Sequence, residues 1–207
     1  LDLVIDAVET RFAPAAVVAL LKHPLARLGL DPFAVRRAAR ALELAAFRAP
    51  YLGDGLAGIE AAFARASDDR AQGVRRHPAV DRLWDEDFHG AHNLIRRLAQ
   101  AFTPLCEIYA REGEVTLRDL TDAQYKVAEA VAALPAEEGT DAAPDCPLWR
   151  DDAGATAARF FASLLDEGLP SLDLPAADYA DLYRSLAAAE TVRPRGPVHP
   201  RLFIWGP

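Results

Sequence analysis

Residues 88–109, FHGAHNLIRRLAQAFTPLCEIY, decide the fold class. Phe88, Ala91, Ile95, Leu98, Phe102, Leu105 and Tyr109 recur three and four apart, which places them on one face of a helix. Pro104 falls inside that seam. Its ring displaces the carbonyl four residues back and removes a hydrogen bond, at a cost of about 3 kcal/mol in a regular helix. The seam continues on both sides, so a kink or short break is expected rather than two unrelated helices. Gly113 is the expected stop.

Upstream, Leu1, Val4, Ile5, Val8 and Phe12 again recur at helical spacing. Pro14 suits the first turn of a second helix, where its missing N–H costs nothing. That helix carries Val17, Val18, Leu20 and Leu21. It stops at His23-Pro24, because the residue before proline is pushed out of the α region. The chain turns a corner through Gly29, and Asp31-Pro32 opens a third helix as cap plus first-turn proline. Val35, Ala38, Leu42 and Ala46 line its inner face and Pro50 closes it. Gly53, Gly55 and Gly58 loosen the next stretch. Ile59–Phe63 suggests a short helix and Ser67–Gly73 an exposed loop.

Downstream, Thr116-Leu-Arg-Asp119 fits a capping box, with Asp in place of the usual Glu. The helix it opens turns Leu120, Val127, Val131 and Leu134 inward. Residues 135–147 are acidic, small and bounded by prolines, the composition of a loop. Asp152 is the expected cap of a helix carrying Phe160, Phe161, Leu164 and Leu165, ended by Gly168. Pro175 starts the last helix, with Tyr179, Leu182, Tyr183 and Leu186 on its apolar face. The sum is an all-α, irregular array of about seven or eight helices over residues 1–190.

Residues 191–207, TVRPRGPVHPRLFIWGP, read differently. They form a proline-broken basic connector that runs into Leu202–Trp205, an apolar stretch resembling the start of a buried strand. A buried strand needs neighbours that the helical remainder does not offer. The expectation is an excised piece of a larger protein, with this strand truncated.

The net charge of −8 is uneven: residues 1–110 hold 14 basic and 14 acidic side chains, and the acidic excess lies beyond them. That balance argues against a general nucleic-acid coat, since affinity for phosphate backbones comes from Lys and Arg. Local arginines remain able to touch phosphate. The candidates are Arg193, Arg195, His199 and Arg201 in the connector and Arg75-Arg76 in the loop after residue 73. The three pairs Arg36-Arg37, Arg75-Arg76 and Arg96-Arg97 each read more plainly as solvated surface, and the connector is the closer case. Cys106 and Cys146 cannot build a four-thiolate site and match no local metal spacing. No signal peptide or membrane-length apolar run is present, which leaves a reducing cytoplasmic setting as the default.

Glu86, His89 and His92 are the one metal-like cluster. Glu86 and His89 stand at the i, i+3 spacing of carboxylate-bridged di-iron bundles, yet no second Glu-x-x-His exists to complete one. Acidic residues in a first helical turn also complement the helix dipole without any ligand. There is no phosphate-binding loop and no nucleophile elbow. On residues alone, nothing specifies an enzyme, a catalytic residue or a cofactor.

Three stretches carry a family resemblance: residues 14–28 (PAAVVALLKHPLARL), Leu148-Trp149-Arg150, and residues 178–195 (DYADLYRSLAAAETVRPR) followed by His199–Pro207. Together they resemble the AddB subunit of the bacterial AddAB helicase–nuclease, in its alphaproteobacterial form. The likeness runs over essentially the whole chain, and its specificity comes from the two ends. It implies the helical insertion of a superfamily-one helicase fold, the 2B-like subdomain, with the terminal strand returning to a RecA-like domain. It further implies a role in double-strand-break repair by homologous recombination, with an AddA-like subunit and DNA as partners. The parent would be an ATP-dependent helicase–nuclease subunit whose nuclease carboxylates and iron–sulfur cysteines lie elsewhere. No catalytic residue is therefore carried over, and Cys106 and Cys146 match no cluster cysteine of the family. The rival readings are a stand-alone helical metalloprotein using Glu86, His89 and His92, or a free-standing adaptor domain.

Overall fold

The computed structural model describes residues 1–48, 51, 53–74, 77–136, 146–168 and 170–192. Among these, nine α-helices occur in chain order: α1 Asp2–Glu9, α2 Pro14–Lys22, α3 Pro32–Leu42, α4 Gly55–Ala71, α5 Pro78–Asp81, α6 Asp85–Tyr109, α7 Leu117–Ala132, α8 Asp151–Leu164 and α9 Tyr179–Ala187. A π-helical turn at Glu43–Phe47 prolongs α3. Single 3-10 turns at Pro147–Trp149 and Ala176–Asp178 lead into α8 and α9. The chain is mostly helical, as its periodicity predicts. Residues 193–207, with the strand expected there, lie outside the described residues.

The expected seam is the spine of the molecule. α6 buries Ala91, Leu94, Ile95, Leu98, Ala101, Phe102, Leu105 and Ile108, a wider stripe than the seven positions first apparent, and packs chiefly on α3 and α7. Phe88 and Tyr109, at its ends, are only half-buried. The helix runs unbroken through Pro104, so the two halves of the seam belong to one helix, as expected. The carbonyl that loses its donor belongs to Gln100, which sits on the exposed side. Small residues set the approach of α3: a β-carbon on Gly90 would lie at ordinary contact, 3.8 Å, from that of Ala38.

Capping residues do what their chemistry dictates. The Asp31 carboxylate accepts from the N–H groups of Phe33 and Ala34 at the start of α3, and Thr116 accepts from Asp119 N at the start of α7. α2 ends at Lys22 with His23 as its cap, as the His-Pro pair requires. The corner after it is built to finish another helix. The N–H groups of Arg27 and Leu28 donate to Val131 O, and that of Gly29 to Ala133 O, so this turn covers the carbonyl end of α7. Leu28 and Gly29 both take positive φ, 51° and 71°, to do so.

Several expectations need correction. Ser67–Ala71 is not loop: α4 is one 17-residue helix, because Phe63 and Arg70 both pack on Phe88 of α6. Phe12 lies beyond α1 with φ 59°, yet is buried edge-on against Phe102, centroids 5.1 Å apart. Leu134 lies past the end of α7 and is half-buried. Arg150, not Asp152, occupies the cap position of α8, and Asp152 stands in its first turn. Pro175 ends a strand rather than starting a helix. That strand, β2 (Asp173–Pro175), pairs antiparallel with β1 (Glu114–Thr116), with buried Val115 opposite buried Leu174.

Candidate nucleic-acid interface

Six residues singled out from sequence as phosphate contacts, Arg75, Arg76, Arg193, Arg195, His199 and Arg201, lie outside the described residues. The two other arginine pairs are described, and the structure splits each of them. In the first, the Arg37 guanidinium crosses to α6 and donates to the carboxylate of Asp87. Asp87 is buried and also accepts from Trp84 N at 2.7 Å, holding the first turn of α6. Burial pushes the Asp87 carboxyl up, but the Arg37 bond and the Trp84 N–H outweigh that and hold it below the usual carboxylate range. In the second pair, Arg97 donates to Leu28 O at 2.9 Å and so ties α6 to the turn that covers α7. Arg96 stays on its own helix, bonded to Asn93 at 2.9 Å.

That leaves Arg36. With Arg40 and Phe33 it forms the crest of α3, spaced i, i+3 and i+7 on one face. Both arginines are exposed, and neither makes an ion pair or side-chain hydrogen bond among the described residues. Phe33, at the N-terminal end of the crest, is 71% exposed. Two like charges four residues apart on a helix repel by a few tenths of a kcal/mol. The crest is rigid, since Asp31 caps the helix below Phe33 and Arg37 anchors its flank to α6. It is a cationic ridge with an aromatic tip, on a chain that is acidic overall.

A second feature lies on the opposite flank of α6. α4 and α6 diverge to leave an open cleft of about 450 Å³ lined by Phe63, Ser67, Arg70, Asp85, Phe88, His89 and His92. Its floor is aromatic, the Phe63 and Phe88 centroids being 5.5 Å apart. Arg70 lies over Phe88 with its guanidinium carbon 4.7 Å from the ring centre, and its Nη2 is ion-paired with Asp85 at 2.8 Å. The residues proposed for a metal are divided here: His89 and His92 line the cleft, whereas exposed Glu86 does not. No group of three or more His, Cys, Asp or Glu among the described residues is placed to hold a metal ion.

Sequence reasoning misses this cleft because it ends α4 at Phe63. The signal is present as Phe63, Ser67 and Arg70, spaced i, i+4 and i+7, which become one helix face once the helix continues. Cys106 is half-buried against the core on α6, and burial pushes its thiol up, away from the reactive thiolate. Cys146 precedes the 3-10 turn at Pro147. Among the described residues no helix is long and apolar enough to cross a membrane.

No family model, no curated protein and no solved structure matches this chain.

Proposed function

We propose that this chain is a non-catalytic helical domain of an AddB-like subunit of a helicase–nuclease that processes double-strand DNA breaks. In this reading it corresponds to the helical 2B-like insertion, and it supports the DNA path or the contact with an AddA-like subunit. The sequence stretches at residues 14–28, 148–150 and 178–195 with 199–207 motivate the family, and the mostly helical architecture is compatible with it. The observation that carries the DNA role is the α3 crest: Arg36 and Arg40, exposed and without partners among the described residues, beside exposed Phe33. Guanidinium groups held on a rigid helix are suited to phosphate, and an exposed aromatic ring beside them is suited to an unstacked base.

The test is fluorescence anisotropy with single-stranded and duplex DNA over a salt series. Binding is expected at low salt, with the logarithm of affinity falling as the logarithm of salt rises. Arg36→Ala/Arg40→Ala is expected to flatten that slope by about 1.4 for single strands and about 1.8 for duplex, from two lost phosphate contacts. Absence of binding by the intact chain at low salt removes the DNA role and leaves docking to the partner subunit. Stoichiometric iron or manganese in the purified protein would instead favour the metalloprotein reading.

A further inference from the structure

We propose that the α4–α6 cleft is a nucleotide-binding site, taking a phosphate together with the planar base attached to it. This inference goes beyond the role of the α3 crest, uses none of its residues, and stands on the cleft itself.

Arg70 carries an orphaned donor. Arg70 Nη1 is buried and has no acceptor among the described residues. The same guanidinium is held by the ion pair of Nη2 with Asp85 and by its face on Phe88. A buried N–H without an acceptor is costly, more so on a charged group. Such a group calls for an explanation. The Arg70 side chain borders an open cleft, and a small rotation of its guanidinium on binding brings Nη1 to an acceptor that enters there.

The other lining groups say what kind of acceptor. His89, His92 and Ser67 bring further N–H and O–H donors to the same cleft, and none of the three is hydrogen-bonded or ion-paired among the described residues. Four donor-bearing side chains match a multidentate oxyanion, the three terminal oxygens of a phosphate monoester or the about four lone-pair sites of a carboxylate, and the rest of the lining decides between them. The remaining surface is Phe63, Phe88 and Ala71. An apolar aromatic floor beside a guanidinium plane is the surface on which bases stack. The cleft volume of about 450 Å³ falls within the roughly 300–1,000 Å³ of small-molecule sites. Asp85 lines the same cleft and its carboxylate repels an anion there. Its carboxylate offsets one charge of Arg70, and selectivity then rests on hydrogen bonding and stacking more than on bulk charge.

The nucleotide has two sources, a free mononucleotide or the phosphorylated end of a strand. The intact chain, labelled with ¹⁵N, is titrated with dTMP, thymidine, inorganic phosphate, and oligothymidylate with and without a 5′-phosphate. With dTMP, shifts are expected at Ser67, Arg70, His89 and His92, and affinity at least about tenfold above thymidine or phosphate alone. His89→Ala/His92→Ala is expected to weaken dTMP at least about fivefold with an unchanged melting curve, since both side chains are exposed. Arg70→Lys, which keeps the charge and loses the fork, is expected to weaken it further. If only the 5′-phosphorylated oligonucleotide reproduces these shifts tightly, the ligand is a strand end; if dTMP binds as well, it is the free nucleotide. No shift at these residues with either about 10 mM dTMP or the 5′-phosphorylated oligonucleotide overturns the proposal, as does equal binding of inorganic phosphate or unchanged affinity in the histidine variant. The two readings fail separately: Arg36→Ala/Arg40→Ala leaves dTMP binding intact, and the histidine variant leaves the salt-dependent slope for long DNA intact.

Discussion

The Arg37 guanidinium on α3 donates to the carboxylate of Asp87, fifty residues further along at the start of α6. The same carboxylate accepts from Trp84 N, so one buried acid both closes the first turn of the longest helix and clamps it to its neighbour. The first job is local, three residues apart, but the clamp to α3 is not visible in the sequence. The Arg36-Arg37 pair reads as a doublet, yet its members face different directions and do different things.

Because Asp87 is held below the usual carboxylate range, protons bind the unfolded chain more readily than the folded one. Its stabilisation is complete above the ordinary titration of aspartate, near pH ~3.9, and is lost as pH falls through the lower folded value. Asp87→Asn is expected to cost about 1–2 kcal/mol near neutral pH, which is about 2–8 °C in melting temperature for a chain of this size. The gap between wild type and variant should close as the acid limb is descended. A gap that stays constant from about pH 7 to about pH 3 would show that the Arg37 bond contributes nothing.

Gly154 is expected to tolerate no side chain. A β-carbon there would lie 2.3 Å from the carbonyl carbon of Trp149 and 2.7 Å from its α-carbon, backbone atoms that cannot swing aside. Trp149 is itself fixed, stacked on Tyr125 with centroids 5.3 Å apart and bonded through its indole N–H to Glu129 at 2.8 Å. The Tyr125 hydroxyl shares that acceptor, and its bond to Glu129 pushes the phenol up to about 12. Gly154→Ala should therefore cost about 1–3 kcal/mol as overpacking. It should also red-shift tryptophan emission as Trp149 is displaced. Unchanged emission with an unchanged melting temperature would contradict the packing described.

The turn that covers α7 gives a coupled prediction. At Gly29, φ is +71° and a β-carbon would sit 2.7 Å from Arg97 Nη1. Gly29→Ala carries backbone strain of about 1 kcal/mol plus displacement of the Arg97 bond to Leu28 O. Arg97→Ala already lacks that bond, so adding Gly29→Ala to it should cost less than Gly29→Ala alone. A double-mutant cycle by urea unfolding measures this, and strict additivity would refute the contact.

The range of the forces involved decides which features are legible in the sequence and which are hidden. Pro14, His23-Pro24, Asp31-Pro32 and Thr116 act within one helical turn, and the helix ends they imply are where they should be. The sequence alone cuts α4 short because Ser67-Asp68-Asp69 favours turns locally. The contacts that overrule it, Arg70 with Phe88 and Asp85, come from a separate helix beyond the end of α4. β1 and β2 are three residues each with a single buried side chain, too short to show a period, and each is held by a partner remote in the chain, Val115 by Leu174 at the centre. The candidate site divides the same way. The arginines could be named from sequence, but which of them are free depends on acceptors such as Asp87 and Leu28 O that only folding supplies.

Two buried tyrosine hydroxyls separate a satisfied polar group from an unsatisfied one. Tyr179 is fully buried and donates its hydroxyl to Gln124 Oε1 at 2.5 Å, with Thr121 Oγ1 3.4 Å away. The Tyr109 hydroxyl is equally hidden but has no partner among the described residues, and burial pushes its phenol up to about 12, so it remains a neutral, unused donor. Removing a hydroxyl that makes a bond strands its acceptor, whereas removing one that makes none relieves a desolvation penalty; each effect is about 1–3 kcal/mol. Tyr179→Phe is therefore expected to lower the melting temperature and Tyr109→Phe to leave it unchanged or raise it. The ring packing is retained in both variants, so the comparison isolates the hydroxyl. Equal destabilisation by the two substitutions would mean that Tyr109 has a hydrogen-bond partner after all.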